Sequence, residues 1–140
     1  MVGTLYWVTG LSGSGKTTIS KNFYKEIKKN NKNVIFLDGD IMRNILNMGG
    51  NSYDKKSRLN IAMLYARFAK LITDQGIDVV FATISMFHTV REWNKININN
   101  YIEIYLKVPF DILEKRDKHK LYSNAKKKNK KKCNRLRYRV

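Results

Sequence analysis

The segment Gly10-Leu11-Ser12-Gly13-Ser14-Gly15-Lys16-Thr17 constrains this chain more than any other feature. It matches the pattern G-x-x-x-x-G-K-[ST], and it stands between two readable elements. Leu5-Tyr6-Trp7-Val8 before it reads as a buried strand. A helical stripe, Ile19, Phe23 and Ile27, follows from about Lys16. Glycines at Gly10, Gly13 and Gly15 let backbone N–H groups converge on phosphate oxygens without Cβ clashes. The helix N-terminus adds partial positive charge. Lys16 supplies a mobile cation for β- and γ-phosphates, and the Thr17 hydroxyl suits Mg²⁺. Ser12, Ser14 and Thr18 complete the expected ATP-binding loop. The bland alternative, a flexible Gly/Ser loop ahead of an ordinary helix, leaves the strand–loop–helix context unexplained.

The rest of the chain supports the same architecture. Asn30 to Asn33 stops the first helix. Val34-Ile35-Phe36-Leu37 is a second buried strand. A long helix is expected from about Lys55 to Gln75, with Ile61, Leu64, Tyr65, Phe68, Leu71 and Ile72 facing the core and Gly76 ending it. Val79-Val80-Phe81-Ala82 gives a third strand. Tyr101 to Val108 gives a fourth, with Glu103, Tyr105 and Lys107 on a wetter face. Pro109 opens a last helix with Asp111 in its first turn. Alternating strands and helices imply an α/β fold of the P-loop NTPase type, a mostly parallel sheet with helices on both faces.

Asp38-Gly39-Asp40 ends the second strand. Ligands of open α/β sheets bind beyond the carboxyl ends of strands, so both carboxylates are expected on the side of the phosphate loop. Phosphoryl transfer needs a metal partner and a group to orient the attacking hydroxyl, and two acids can divide those jobs. The competing reading is an Asp-Gly turn with Asp40 as a helix N-cap. Arg43, one helical turn on, could reach a substrate phosphate.

Five segments resemble the adenylylsulfate kinase family. Trp7 to Thr18 resembles its phosphate loop. Leu37-Asp38-Gly39-Asp40 with Arg43 resembles its D-G-D-N-x-R segment. Asn60-Ile61 falls where the family has an E-N-I-R-R helix. Ile84-Ser85-Met86-Phe87 resembles I-S-P-[FY], and Arg116-Asp117 with Leu121-Tyr122 resembles R-D-P-K-G-L-Y. The likeness runs in order over residues 3–125. It implies transfer of the γ-phosphoryl of Mg·ATP to the 3′-hydroxyl of a nucleotide carrying a 5′ acid anhydride. Lys16, Asp38 and Asp40 would then carry catalysis, and Thr17 and Asp38 the metal. Arg43, Asn60, Ser85 and Phe87 would line the acceptor site. Departures gather on the acceptor side: Ala62 and Met63 replace arginines, Met86 and Lys118 replace prolines, His88 stands at a basic position, and Tyr53 is the nearest aromatic ahead of the helix. Such a pattern suits a relative with a different acceptor. One relative phosphorylates cytidine diphosphoramidate, and that activity stands as the alternative.

The formal charge of +17 points toward nucleic acid until its distribution is read. Residues 118–140 hold 11 Lys and Arg and no acidic residue, whereas residues 1–117 hold 17 basic against 11 acidic, a net of +6. The expected division is a kinase domain over 1–125 and a basic low-complexity tail over 126–140, with a frameshifted end as the favoured origin of the tail. A nucleic-acid-binding arm or a catalytically impaired nucleotide-binding protein are the rivals. Cys133 reads as incidental, and His88 and His119 lack partners at zinc-ligand spacing. Trp93 and Tyr101 read as packing residues. No apolar run nears the roughly 20 residues of a membrane span. With one cysteine and no leader pattern, a cytoplasmic protein is expected, acting on ATP and a nucleotide, with homodimerisation left open.

Overall fold

The computed structural model describes residues 1–48 and 54–116. The elements run β1 (Thr4–Gly10), α1 (Lys16–Asn30), β2 (Val34–Asp38), α2 (Gly39–Ile45), α3 (Lys55–Thr73), β3 (Asp78–Thr83), α4 (His88–Asn97), β4 (Asn100–Leu106) and α5 (Phe110–Arg116). The strands form one sheet in the order β2-β3-β1-β4. All three pairings are parallel, with Trp7 beside Phe81, Val8 beside Ile104 and Leu37 beside Phe81. Tyr53, Asp117, Lys118, His119, Leu121, Tyr122, Cys133 and the whole 126–140 tail lie outside the described residues. No helix among the described residues is long and apolar enough to cross a membrane.

Period-2 alternation divides the strands between two cores. Leu5, Trp7, Val79 and Phe81 point to one face, where α3 and α4 cover them. Val8, Val34 and Val80 point to the other, against Phe23, Tyr24 and Ile27 of α1. Both faces are therefore clothed by helices, and the central strands read as continuous apolar runs for that reason.

Four details differ from the sequence expectations. In α1 the stripe runs through Ser20, Phe23, Tyr24 and Ile27, and Ile19 is 46% exposed. In α3 the buried face is Arg58, Ala62, Tyr65, Ala66, Ala69 and Thr73, while Leu64, Phe68 and Leu71 stand outward. Alanines let the helix backbone approach the sheet closely; larger residues at 62, 66 and 69 would hold it off. In β4 the expected wetter face holds in part: Tyr105 and Lys107 are exposed, and Ile104 and Leu106 on the opposite face pack against the core under α1, but Glu103 is covered. Glu103 pairs with Arg91 of α4 at 2.7 Å and accepts the Tyr101 hydroxyl at 3.2 Å, while Ile102 is exposed. An ion pair from α4 thus covers one residue of the face that charge alone marks as wet. Helix α4 itself was not expected; its buried residues Val90 and Asn94 carry one polar member, which blurs the apolar period. Pro109 sits just ahead of α5, its carbonyl accepting from Ile112 and Leu113. Trp93 and Tyr101 pack against the core beneath α3 and α4.

Two outcomes follow from this packing. Ala69→Leu should lower stability by about 1–3 kcal/mol, because the added methylenes enter a filled interface. Leu71→Ala, on the outward face, should change it by less than about 0.5 kcal/mol. Urea midpoints at constant slope check both. Burial raises the Tyr65 phenol to about 12, with Asp40 and Asp38 adding and Arg43 opposing. Burial also drives Tyr101 well above the ordinary range. Folded values above the unfolded value of about 10 mean stabilisation that is complete below pH ~10 and lost as pH climbs through the folded values. The urea midpoint should fall steadily above pH ~10, and less steeply in Tyr101→Phe.

Candidate functional site

The carboxyl ends of β1, β2 and β3 open on one cavity of about 340 Å³. Its floor is the loop between β1 and α1. Gly10 ends β1 so close to β4 that a Cβ there would meet the Leu106 carbonyl at 2.8 Å. Gly15 holds a left-handed conformation, φ 91°, and turns the chain into α1 with no side chain capping the helix. The first N–H groups of α1 are thereby left to the cavity side. Ser12, Gly13, Gly15, Lys16, Thr17 and Thr18 line that floor. Ser14 does not; it is buried and its amide closes the loop onto the Leu11 carbonyl at 3.1 Å. The Lys16 ammonium donates to the same carbonyl at 2.8 Å, folded across the loop.

One carboxylate joins the floor to the adjoining wall. Asp38 Oδ2 accepts the Thr17 hydroxyl at 2.8 Å. Its Oδ1 accepts from the amides of Asp40 and Ile41, at 2.9 and 3.3 Å. Asp38 rather than Asp40 is therefore the N-cap of α2, which leaves the Asp40 side chain exposed at the cavity. Asp38 is 8% exposed, a carboxylate held in the interior by three donors. Arg43 lines the same wall one turn along α2.

The far wall comes from α3 and the end of β3. Ser85 is buried, its hydroxyl 2.8 Å from that of Thr83, and Phe87 caps the wall from the start of α4. Asn60 is absent from this wall. It sits on the exposed side of α3, whereas Arg58, Ile61, Ala62 and Tyr65 face the cavity. His88 also stands outside, exposed at the start of α4 and near Arg91. Arg116 of α5 reaches over the loop and donates to the Gly13 carbonyl at 3.0 Å.

Arg58, Tyr65 and Arg116 are thus cavity residues that the sequence reading did not assign. Spacing at 58, 61–62 and 65 marks one helical face, but the larger Leu64 and Phe68 beside it drew the face elsewhere. The cavity carries four cations, Lys16, Arg43, Arg58 and Arg116, against Asp38 and Asp40. That balance suits a polyanion on each side of a reacting centre. Two hard oxygen donors, Thr17 Oγ1 and Asp38 Oδ2, lie together beside the loop. They fit Mg²⁺, which takes few protein ligands and completes its shell with phosphate and water.

The adenylylsulphate kinase family model matches residues 2–134. A cytidine diphosphoramidate kinase of Campylobacter jejuni is 44% identical over 121 residues, covering 86% of this chain and 70% of that one. An adenylyl-sulfate kinase of Bacillus velezensis is 39% identical over 124 residues, covering 87% of this chain and 62% of that one. Among solved structures, the Mycobacterium tuberculosis APS kinase in complex with AMPPNP and APS is similar with a TM-score of 0.78 at 26% identity. The likeness covers 91% of this chain and 76% of that chain. With a family model spanning nearly the whole sequence and a phosphate loop facing a two-carboxylate turn, this chain belongs to the adenylylsulphate kinase family of ATP-dependent kinases.

Proposed function

We propose that the chain transfers the γ-phosphoryl of Mg·ATP to the 3′-hydroxyl of a nucleotide carrying a 5′ acid anhydride. The observation that carries this reading is the Thr17–Asp38 hydrogen bond, which locks the phosphate loop to the turn bearing Asp40. Lys16 and the loop amides from Ser12 to Thr18 would hold the β- and γ-phosphates. Thr17 and Asp38 would hold Mg²⁺, which when bound neutralises charge on the phosphoryl oxygens. Asp40 would accept a hydrogen bond from the acceptor hydroxyl and aim its oxygen at phosphorus. As the new P–O bond forms, the bond to the β–γ bridging oxygen breaks. ADP leaves with that electron pair, and the acceptor proton passes to Asp40 and then to water. A carboxylate is a weak base, yet a loose transition state asks for positioning more than for prior deprotonation. Arg116, over the loop, belongs to the ATP side; Arg43, Arg58, Ser85 and Phe87 belong to the acceptor side. Asn60, exposed on α3 and outside the cavity lining, stands apart from them.

For the acceptor, we infer a cytidine diphosphoramidate-like nucleotide. Support comes from the 44% identity with the Campylobacter jejuni enzyme. The α3 wall of the cavity adds support: Ala62 stands where the family's arginine is expected, and Arg58 brings a cation one turn earlier on the same face. Adenylyl sulfate is the second reading, favoured by the family match and by the structural likeness to the Mycobacterium tuberculosis enzyme.

Asp40→Asn should lower kcat by about 100-fold or more while shifting ATP affinity less than about threefold, since it removes a transition-state role and no ATP contact. Steady-state kinetics with ATP titration checks this, and a near-normal kcat reassigns Asp40 to the turn alone. Cytidine diphosphoramidate and adenylyl sulfate should be titrated against the chain with a non-hydrolysable ATP analogue present. Tighter binding of the cytidine nucleotide, weakened about 10-fold or more in Arg58→Ala, is the expected result. Selective binding of adenylyl sulfate restores the second reading.

A further inference from the structure

The turn carrying the two carboxylates is held from a third direction that the reaction as described leaves unused. Gly39 lies between Asp38 and Asp40, and its carbonyl accepts the Tyr65 hydroxyl at 2.8 Å across 26 residues. Its Cα faces Thr83 of β3 so closely that a Cβ would stand 3.1 Å from the Thr83 hydroxyl. Asp38 fixes the same turn from within, through the amides of Asp40 and Ile41. Helix α2 has only 7 residues, too few to keep its own position by helical hydrogen bonding.

Packing alone does not account for the Tyr65 hydroxyl. Tyr65 is 3% exposed, and its ring lies against Phe81 with centroids 5.2 Å apart, a contact that phenylalanine would make equally well. The hydroxyl adds a desolvation cost in this interior, offset by the bond it donates to Gly39. The side chain also lines the main cavity beside Asp38, Asp40 and Arg43. Tyr65 therefore spends its polar atom on the peptide next to Asp40.

We propose that Tyr65 is a positioning residue: by holding the Gly39 carbonyl, it sets where the Asp40 carboxylate meets the acceptor hydroxyl. This rests on the role given to Asp40 above. A displacement of about 1 Å at a reacting group can cost on the order of 100-fold in rate, so a single hydrogen bond to the backbone beside Asp40 has leverage on turnover.

Tyr65→Phe tests it, because the ring and its contact with Phe81 remain and the fold is kept. Three measurements are made together: steady-state kinetics, thermal unfolding, and amide hydrogen exchange over Gly39–Arg43. The expected result is a kcat lowered about 10- to 100-fold, a KM for ATP within about threefold, an unfolding midpoint close to that of the parent, and faster exchange at Asp40 and Ile41. Tyr65→Phe combined with Asp40→Asn should be no slower than Asp40→Asn alone, since one acts through the other. Unchanged exchange in Tyr65→Phe, an unchanged kcat, or full additivity in the double variant each overturn the proposal. Exchange needs no acceptor. A parent protein that phosphorylates neither nucleotide therefore sinks the function proposed above, while the exchange result still decides whether Tyr65 holds the turn.

Discussion

Parallel pairing on both sides of β1 obliges every connection to return across the sheet before the next strand begins. Each strand therefore ends at the same edge. β1 delivers the phosphate loop there, β2 delivers Asp38, and β3 delivers Thr83 and Ser85. Functional side chains that lie dozens of residues apart become neighbours with no further adjustment. Helices can cover both faces only because Leu5 and Trp7 alternate with Tyr6 and Val8, so that each strand feeds two cores.

Asp38 is where that geometry becomes a site. One of its oxygens receives Thr17 from the start of α1, and the other caps α2. A single buried carboxylate thereby fixes the relation between two helices and frees Asp40 to face the cavity. The Tyr65 bond to Gly39 and the contact with Thr83 hold the same turn from α3 and β3. A short helix that could not hold its place alone is constrained from three elements.

The far wall of the cavity depends on how closely α3 approaches the sheet. Ala62, Ala66 and Ala69 permit that approach, and the helix is rotated accordingly. The same rotation turns Arg58 and Tyr65 into the cavity and Asn60 away from it. Small side chains thus decide which polar groups line the cavity.

The phosphate loop, the strand order of chemistry along the chain and the Asp38-Gly39-Asp40 turn were legible in the residues, because their meaning is local. Glycine is needed where the backbone turns left-handed or strands crowd, and a carboxylate at the end of a parallel strand falls on the phosphate-loop side whether it caps a helix or meets a ligand. The parallel α/β class was legible too, from apolar runs alternating with helical stripes. The buried face of α3 was not, because apolar size favours Leu64, Phe68 and Leu71, whereas close packing against a sheet favours alanine. The identity of the N-cap was hidden for a similar reason: Asp38 and Asp40 are equivalent as residue types, and only the position of Thr17 tells them apart. Glu103 reads as a solvent residue until Arg91, twelve residues earlier, is brought against it by α4. Sequence by itself determined what each short segment can do; tertiary contact decided which of two similar side chains does it, because that choice depends on distances between elements that no single segment contains.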